Sequence, residues 1–142
     1  MEICKFEADS PLLEKALKLR REVFVVEQGV PVELEIDEYD EKAVHFVALK
    51  GGEAVAAMRL VPHGNSAKIG RVAVKRELRR KGLGTALMKR GIEHAGALGL
   101  LEIFLDAQVD SISFYEKMGF MPEGELFDDA GLPHRRMRLK LP

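Results

Sequence analysis

The chain has 142 residues, 46% hydrophobic and 32% charged, with a formal net charge of −1. That length suits one domain, residues 1–142, around a single core, and near-neutrality excludes a polycation that coats nucleic acid, so any basic patch serves a local partner. No apolar run approaches the roughly 18 residues of a membrane span, the opening MEICKFEADSP lacks the cationic and apolar regions of a secretory signal, and the lone Cys4 allows no intrachain disulfide, which suits a reducing cytoplasm.

Residues 2–7 (EICKFE) alternate weakly and are predicted as a first strand. Ser10 before Pro11 reads as an N-cap followed by proline at the first helical position, opening a helix through about residue 22. VFVVEQ (23–28) mixes β-branched residues into its end and blurs that boundary, and ELEIDEYDEK (33–42) reads as an acidic, polar connection. AVHFVALK (43–50) and EAVAAMRLV (53–61) flank Gly51-Gly52, a two-residue hairpin signal. PHGNS (62–66) makes a second turn before a strand at AKIGRVAV (67–74). Gly84, Leu87, Met88, Gly91, Ile92, Ala95 and Leu98 then form one small and apolar stripe at helical spacing, with Gly99 as the residue just past the helix end. A strand at 100–107, a short helix at 111–119 and a closing strand at 134–141 complete the order β-α-β-β-β-α-β-α-β. This is a mixed α/β or α+β layer whose crossover from strand 67–74 through helix 84–98 to strand 100–107 should be parallel.

Between strand and helix lies LRRKGLG (78–84), three cations and two glycines at a helix N-terminus. Unpaired amides and the helix dipole favour an anion there, and Gly82 and Gly84 let it approach the backbone. A P-loop needs G-x-x-x-x-G-K-[ST], which is absent. A dinucleotide fingerprint needs a third glycine where Leu87 stands, and KRELRRK separates the strand from Gly82, so it fits poorly. VAVKRELRRKGLGTALM instead resembles motif A of the GNAT superfamily of acetyl-CoA-dependent N-acetyltransferases, a strand, a charged loop, [R/Q]-x-x-G-x-[G/A] and a helix. SISFYEKMGF (111–120) resembles its motif B, in the right order and one helix and one strand away. REVFVVEQGVP (21–31), IGRVAV (69–74) and DDAGLPHRRM (128–137) are similar to the ElaA-like subgroup, so the resemblance spans nearly the whole chain.

The resemblance implies the GNAT fold: a central, mostly antiparallel sheet with one splayed pair of strands, flanked by helices. It also implies direct acetyl transfer from acetyl-CoA to an amine through a ternary complex, without a metal. Carried over residue by residue, the backbone of Val72, Ala73 and Val74 would bind pantetheine and polarise the thioester carbonyl. Arg79, Arg80, Lys81, Gly82, Leu83, Gly84 and Thr85 would hold the pyrophosphate. Gln108 stands where the family often has an asparagine touching the cofactor. Tyr115 aligns with the tyrosine that protonates the departing thiolate, a role suited to a phenol of pKa near 10.

An alkylamine is protonated at neutral pH, so a base must take a proton; Glu27 and His134 are the candidates. His45 reads as part of a sheet face, His63 as a turn residue and His94 as the polar side of its helix. The four histidines show no metal-ligand spacing and Cys4 no C-x-x-C partner, so no metal is expected, and Cys4, on the first strand and far in sequence from both motifs, reads as a buried thiol rather than an acetyl carrier. The six carboxylates of 33–42 would attract a cationic acceptor if they are more than a solvated loop, whereas Arg59 and Arg71 would suit an anionic one. These two readings pull in opposite directions. The acceptor is left unassigned, a homodimer is left open, and neither nucleic acid nor membrane is expected as a partner. A coenzyme A-binding sensor without catalysis is the second reading of the whole chain.

Overall fold

The computed structural model describes residues 1–142. Seven strands form one sheet in the order β1-β2-β3-β4-β5-β7-β6: β1 (Glu2–Phe6), β2 (Val44–Lys50), β3 (Glu53–His63), β4 (Ser66–Val74), β5 (Glu102–Gln108), β6 (Met121–Asp129) and β7 (Leu132–Lys140). All neighbours are antiparallel except β4 and β5, which the helix α3 (Leu83–Ala97) joins as a parallel crossover. Gly51 and Gly52 turn the β2–β3 hairpin with φ of +59° and +79°, a pair of left-handed positions that side chains resist.

Strand alternation sorts the core onto two faces. Phe46, Met58, Leu60, Ile69, Ile103 and Leu105 pack under α3, whose Leu87, Met88 and Ala95 are fully buried. The opposite face buries Val47, Ala57 and Ala73 against Ala16 and Leu19 of α1 (Leu12–Arg20). Each large apolar side chain so buried contributes on the order of 2 kcal/mol. Ser10 caps α1 as expected, its Oγ accepting from Leu12 N–H at 3.2 Å. At the far end of α3, Gly99 is left-handed and Leu100 N–H reaches back to Ala95 O.

Three departures from the expected organisation shape the site. The chain between the short helix α4 (Ile112–Glu116) and the closing strand is not irregular: it forms β6, paired only with β7. Residues Arg21–Glu27 continue α1 as a π-helix, with Val30 N–H folding back on Phe24 O at 2.9 Å. The segment 33–42 is not a solvated loop. It holds the helical turn α2 (Val32–Glu35) and a 3₁₀ turn at Glu38–Glu41, and it buries Glu35 and Asp40 to 2% and 5% exposure.

That burial has an electrostatic cause. Arg20 donates to Glu35 and, at 2.7 Å, to Asp40; Arg59 donates to Asp40 at 2.9 Å and to both oxygens of Asp37; Arg71 donates to Asp37 at 3.1 Å. Three guanidiniums from α1, β3 and β4 therefore neutralise three carboxylates and bolt the segment to the sheet. His45 joins from β2, its Nε2 donating to Asp40 O at 2.9 Å while the ring stacks on Phe6, and burial holds its pKa below the usual histidine range.

Candidate active site

The site begins with a defect in β4. Arg59 pairs with Gly70 but Ala57 with Ala73, so β4 carries one residue more than β3 over that stretch. Arg71 sits in the resulting bulge with φ +52°, a left-handed conformation uncommon for a side-chain-bearing residue. Its guanidinium holds it there, donating from Nε to Glu35 O at 3.0 Å and from Nη2 to Leu34 O at 3.1 Å. Beyond the bulge β4 leaves β5: their parallel pairing runs only from Ser66–Glu102 to Ile69–Leu105.

The splay frees one backbone edge. Lys75 N–H donates to Val55 O on β3, so by strand alternation Ala73 also faces β3, and the amides of Val72 and Val74 face the gap. Ala73 is thus not among the free donors. A cleft of about 220 Å³ occupies the gap. Tyr115, His134, Gln108 and Val72 line it together, although the sequence spreads them over sixty residues, with Glu35 and Asp106 in the same wall.

Tyr115 lies in α4 against Phe114 and Phe120, its ring centroid 5.0 and 6.0 Å from theirs. Burial pushes its phenol up to about 12, and its hydroxyl makes no hydrogen bond within the protein. The ring is therefore a neutral, uncommitted donor. Across the β5–β7 ladder His134 pairs in register with Gln108. His134 Nδ1 lies 2.8 Å from Leu132 O, and because a carbonyl only accepts, Nδ1 carries a proton, which leaves Nε2 as the nitrogen that can take one up. Gln108 Nε2 donates to Gln28 Oε1 at 2.9 Å, tying the end of β5 to the end of the π-helix.

The loop 79–85 lies beside the cleft. Arg80 and Gly82 are left-handed at φ +63° and +86°, which winds the chain sharply into α3. The helix has no side-chain cap, and the amides of Arg80, Lys81, Gly82, Leu83, Gly84 and Thr85 donate to no group of the protein. A Cβ on Gly84 would come within 3.3 Å of Phe114 Cζ, so the glycine also lets α3 start against motif B. Arg79 is not free: it donates to Val74 O at 2.9 Å and to Glu27 Oε1 at 2.8 Å. Glu27 accordingly lies outside the cleft wall, in an ion pair.

The arginines that would suit an anionic acceptor are not free: Arg59 and Arg71 are consumed by Asp37, Asp40 and backbone carbonyls. Local sequence missed Glu35, since the three arginines that bury it come from distant elements. No helix is long and apolar enough to cross a membrane.

Known proteins with this architecture are numerous. The N-acetyltransferase YjcF of Bacillus subtilis, itself uncharacterized, is 37% identical over 126 residues, covering 88% of this chain and 90% of that protein. The crystal structure of Escherichia coli ElaA superposes with a TM-score of 0.89 at 31% identity, covering 97% of this chain and 99% of that one. An acyl-CoA N-acyltransferase from Pseudomonas aeruginosa gives 0.88 at 34% identity, over 96% and 97%. The acetyltransferase (GNAT) family matches residues 13–120. The splayed sheet, the free strand edge and the glycine-opened helix are thus those of an acyltransferase, and the chain belongs to the GNAT acetyltransferase family, in its ElaA-like branch.

Proposed function

We propose that the protein transfers the acetyl group of acetyl-CoA directly to a primary amine, with both substrates bound at once. The observation that carries this reading is the free β4 edge at Val72, in the same cleft wall as Tyr115 and His134, with the Val74 amide on the same side of the strand. Acetyl-CoA supplies an acetyl group already activated as a thioester. The unpaired amides of Arg80 through Thr85 are suited to its pyrophosphate, with the left-handed Gly82 keeping side-chain bulk out of the way. Arg80 and Lys81 add positive charge, and Gln108, in the same cleft wall, would touch the pantetheine arm.

The amides of Val72 and Val74 stand ready to receive the carbonyl oxygen as it gains negative charge, usually the largest single contribution to such catalysis. The amine nitrogen bonds to the acetyl carbon, the carbon–sulfur bond breaks, and Tyr115 gives its hydroxyl proton to the departing sulfur. His134 Nε2 takes one proton from the ammonium before attack, passes it to solvent and takes the second as the amide forms, and exchange through solvent returns one to Tyr115. Glu27 positions Arg79 and takes no proton in this scheme.

The test is acetyl-CoA mixed with a panel of amines, following free thiol. Acetyl-CoA-dependent thiol release with one or more amines is expected. Tight coenzyme A binding with no turnover on any amine would overturn the reading in favour of a binding module.

A further inference from the structure

Gly70 is a glycine that the fold itself does not need. It sits in mid-strand, where glycine weakens a sheet, paired with Arg59 one residue before the Arg71 bulge. Its backbone is not left-handed, and a Cβ there would meet nothing within 4 Å, so neither turn geometry nor crowding explains the missing side chain. Ile69 is buried against α3, so by alternation position 70 faces the other side of the sheet, where Phe24 packs on the cluster under α1. On that side Gly70 is part of the cleft wall. The space its side chain would take is therefore space inside the cleft.

The cleft around it has two unlike halves. Phe24, Val30 and Leu34 line one with apolar surface, and His134, Ser111 and Asp129 line the other with polar groups. No charge on the apolar side is free. Arg71 donates to Leu34 O, Glu35 O and Asp37, Glu35 is paired with Arg20, and Lys68 holds Asp106 at 3.1 Å. The amine must approach the half that holds its base, His134, which leaves the apolar half to the donor. Order along the chain puts the donor there too. The free amides of 80–85 suit the pyrophosphate, the Val74 amide the pantetheine arm and the Val72 amide the thioester carbonyl, and Gly70 comes next. Two residues along a strand span roughly 6–7 Å. The methyl of an acetyl group reaches one bond past its carbonyl carbon and leaves that floor bare, whereas the three further carbons of a butyryl chain cover most of it.

We infer that the protein takes neutral acyl chains longer than acetyl, with n-butyryl-CoA as a donor, and that Gly70 sets their length by leaving the floor under the chain bare. This rests on the acyl-transfer reading and widens its donor. The bonds made and broken are unchanged: nitrogen joins the acyl carbon, that carbon parts from sulfur, and the sulfur leaves as the thiol. A chain ending in a carboxylate is disfavoured, because no uncommitted cation lines the apolar half.

Calorimetric titration of coenzyme A, acetyl-CoA, n-butyryl-CoA and succinyl-CoA into the full chain, without an amine, reads the donor alone for wild type, Gly70→Val and Gly70→Ala. Each buried methylene is worth about fourfold in affinity, so wild type should bind n-butyryl-CoA about tenfold tighter than acetyl-CoA. Succinyl-CoA should not share that gain. Gly70→Val should bind n-butyryl-CoA no tighter than acetyl-CoA while its affinity for coenzyme A holds. If Gly70→Val does not fold, Gly70→Ala decides, and it should give up about one methylene of the gain, or about fourfold. Wild type binding n-butyryl-CoA no tighter than acetyl-CoA overturns the inference. So does a gain that survives substitution of Gly70 or that succinyl-CoA shares. An amine that takes acetyl but never butyryl would sink the inference and leave acetyl transfer standing. A butyryl gain lost in Gly70→Val, with no thiol released to any amine, would uphold the acyl pocket and overturn transfer to amines.

Discussion

Glu27 and Arg79 hold each other at 2.8 Å, joining the end of the π-helix to the loop that leads into α3. By sequence the first is a candidate base and the second a candidate phosphate ligand, yet each is the other's partner. An ion pair this exposed is worth about 0–1 kcal/mol. Glu27→Gln should therefore lower kcat/KM less than about fivefold and leave the shape of its pH profile unchanged. His134→Gln removes the proton acceptor itself and should lower kcat/KM by about 10²-fold or more. Steady-state kinetics of both variants across pH check this, and a larger loss in Glu27→Gln would exchange their roles.

Tyr115 has a hydroxyl with no partner in the protein and a phenol pushed by burial up to about 12. Tyr115→Phe should therefore leave stability within about 0.5 kcal/mol of wild type while lowering kcat by about 10²-fold or more. Acetyl-CoA binding should hold. The raised pKa has a sign: below pH 10 the phenol is neutral folded or unfolded, but between 10 and about 12 only the unfolded chain ionises. Stability should fall with pH across that window in wild type, and by less in Tyr115→Phe. Urea midpoints measured from pH 9 upward test the second half, and unchanged turnover would remove Tyr115 from the chemistry.

Helix α3 and strands β2 to β5 could be read in the sequence because their burial is periodic and local. The stripe from Gly84 through Leu87 and Met88 to Ala95 faces one sheet, and the Gly51-Gly52 pair carries its own turn chemistry. Strand β6 could not, because MPEGELFDD has no alternation and includes Pro122 and Gly124; it is an exposed edge whose pairing is imposed by β7. The π-helix was blurred by Val23, Val25 and Val26, which suit a strand as well as a helix. The cofactor-side residues were legible through motif order, whereas Glu35 was not. Six carboxylates in ten residues look solvated until Arg20, Arg59 and Arg71 arrive from three other elements.

Asp40 accepts from Arg20 at 2.7 Å and from Arg59 at 2.9 Å. Burial by itself would raise its pKa, but hydrogen bonds and charge from Arg20, then Arg59, override it and hold the carboxyl at about 2 against an ordinary 3.8. A depressed carboxyl stabilises the fold above its unfolded value, and that contribution is lost as pH falls from about 4 toward 2. Asp40→Asn strands two buried guanidiniums with one carboxylate fewer and should cost about 3–5 kcal/mol. It should also flatten the acid limb of the stability curve. Urea unfolding of both proteins from pH 2 to 7 measures this, and a loss under about 1 kcal/mol would show the cluster relaxing around the missing charge.

Gly82 separates binding from folding in the loop before α3. Its φ of +86° disfavours any side chain, but a Cβ there would meet nothing within 4 Å, so the protein interior is untouched. Gly82→Val should cost about 1–2 kcal/mol of stability from the left-handed backbone alone. Its larger effect should fall on the donor, since the new methyl groups project from the loop whose amides point outward without partners. Coenzyme A affinity should drop about tenfold or more, that is by at least about 1.4 kcal/mol, and the KM for acetyl-CoA should rise with it. Arg79→Ala, which removes a side chain already engaged with Glu27 and Val74, should change coenzyme A affinity less than Gly82→Val. Calorimetric titration of coenzyme A into the three proteins ranks them. Full affinity in Gly82→Val would move the pyrophosphate away from this loop, and a greater loss in Arg79→Ala would mean that side-chain charge, rather than the free amides, holds it.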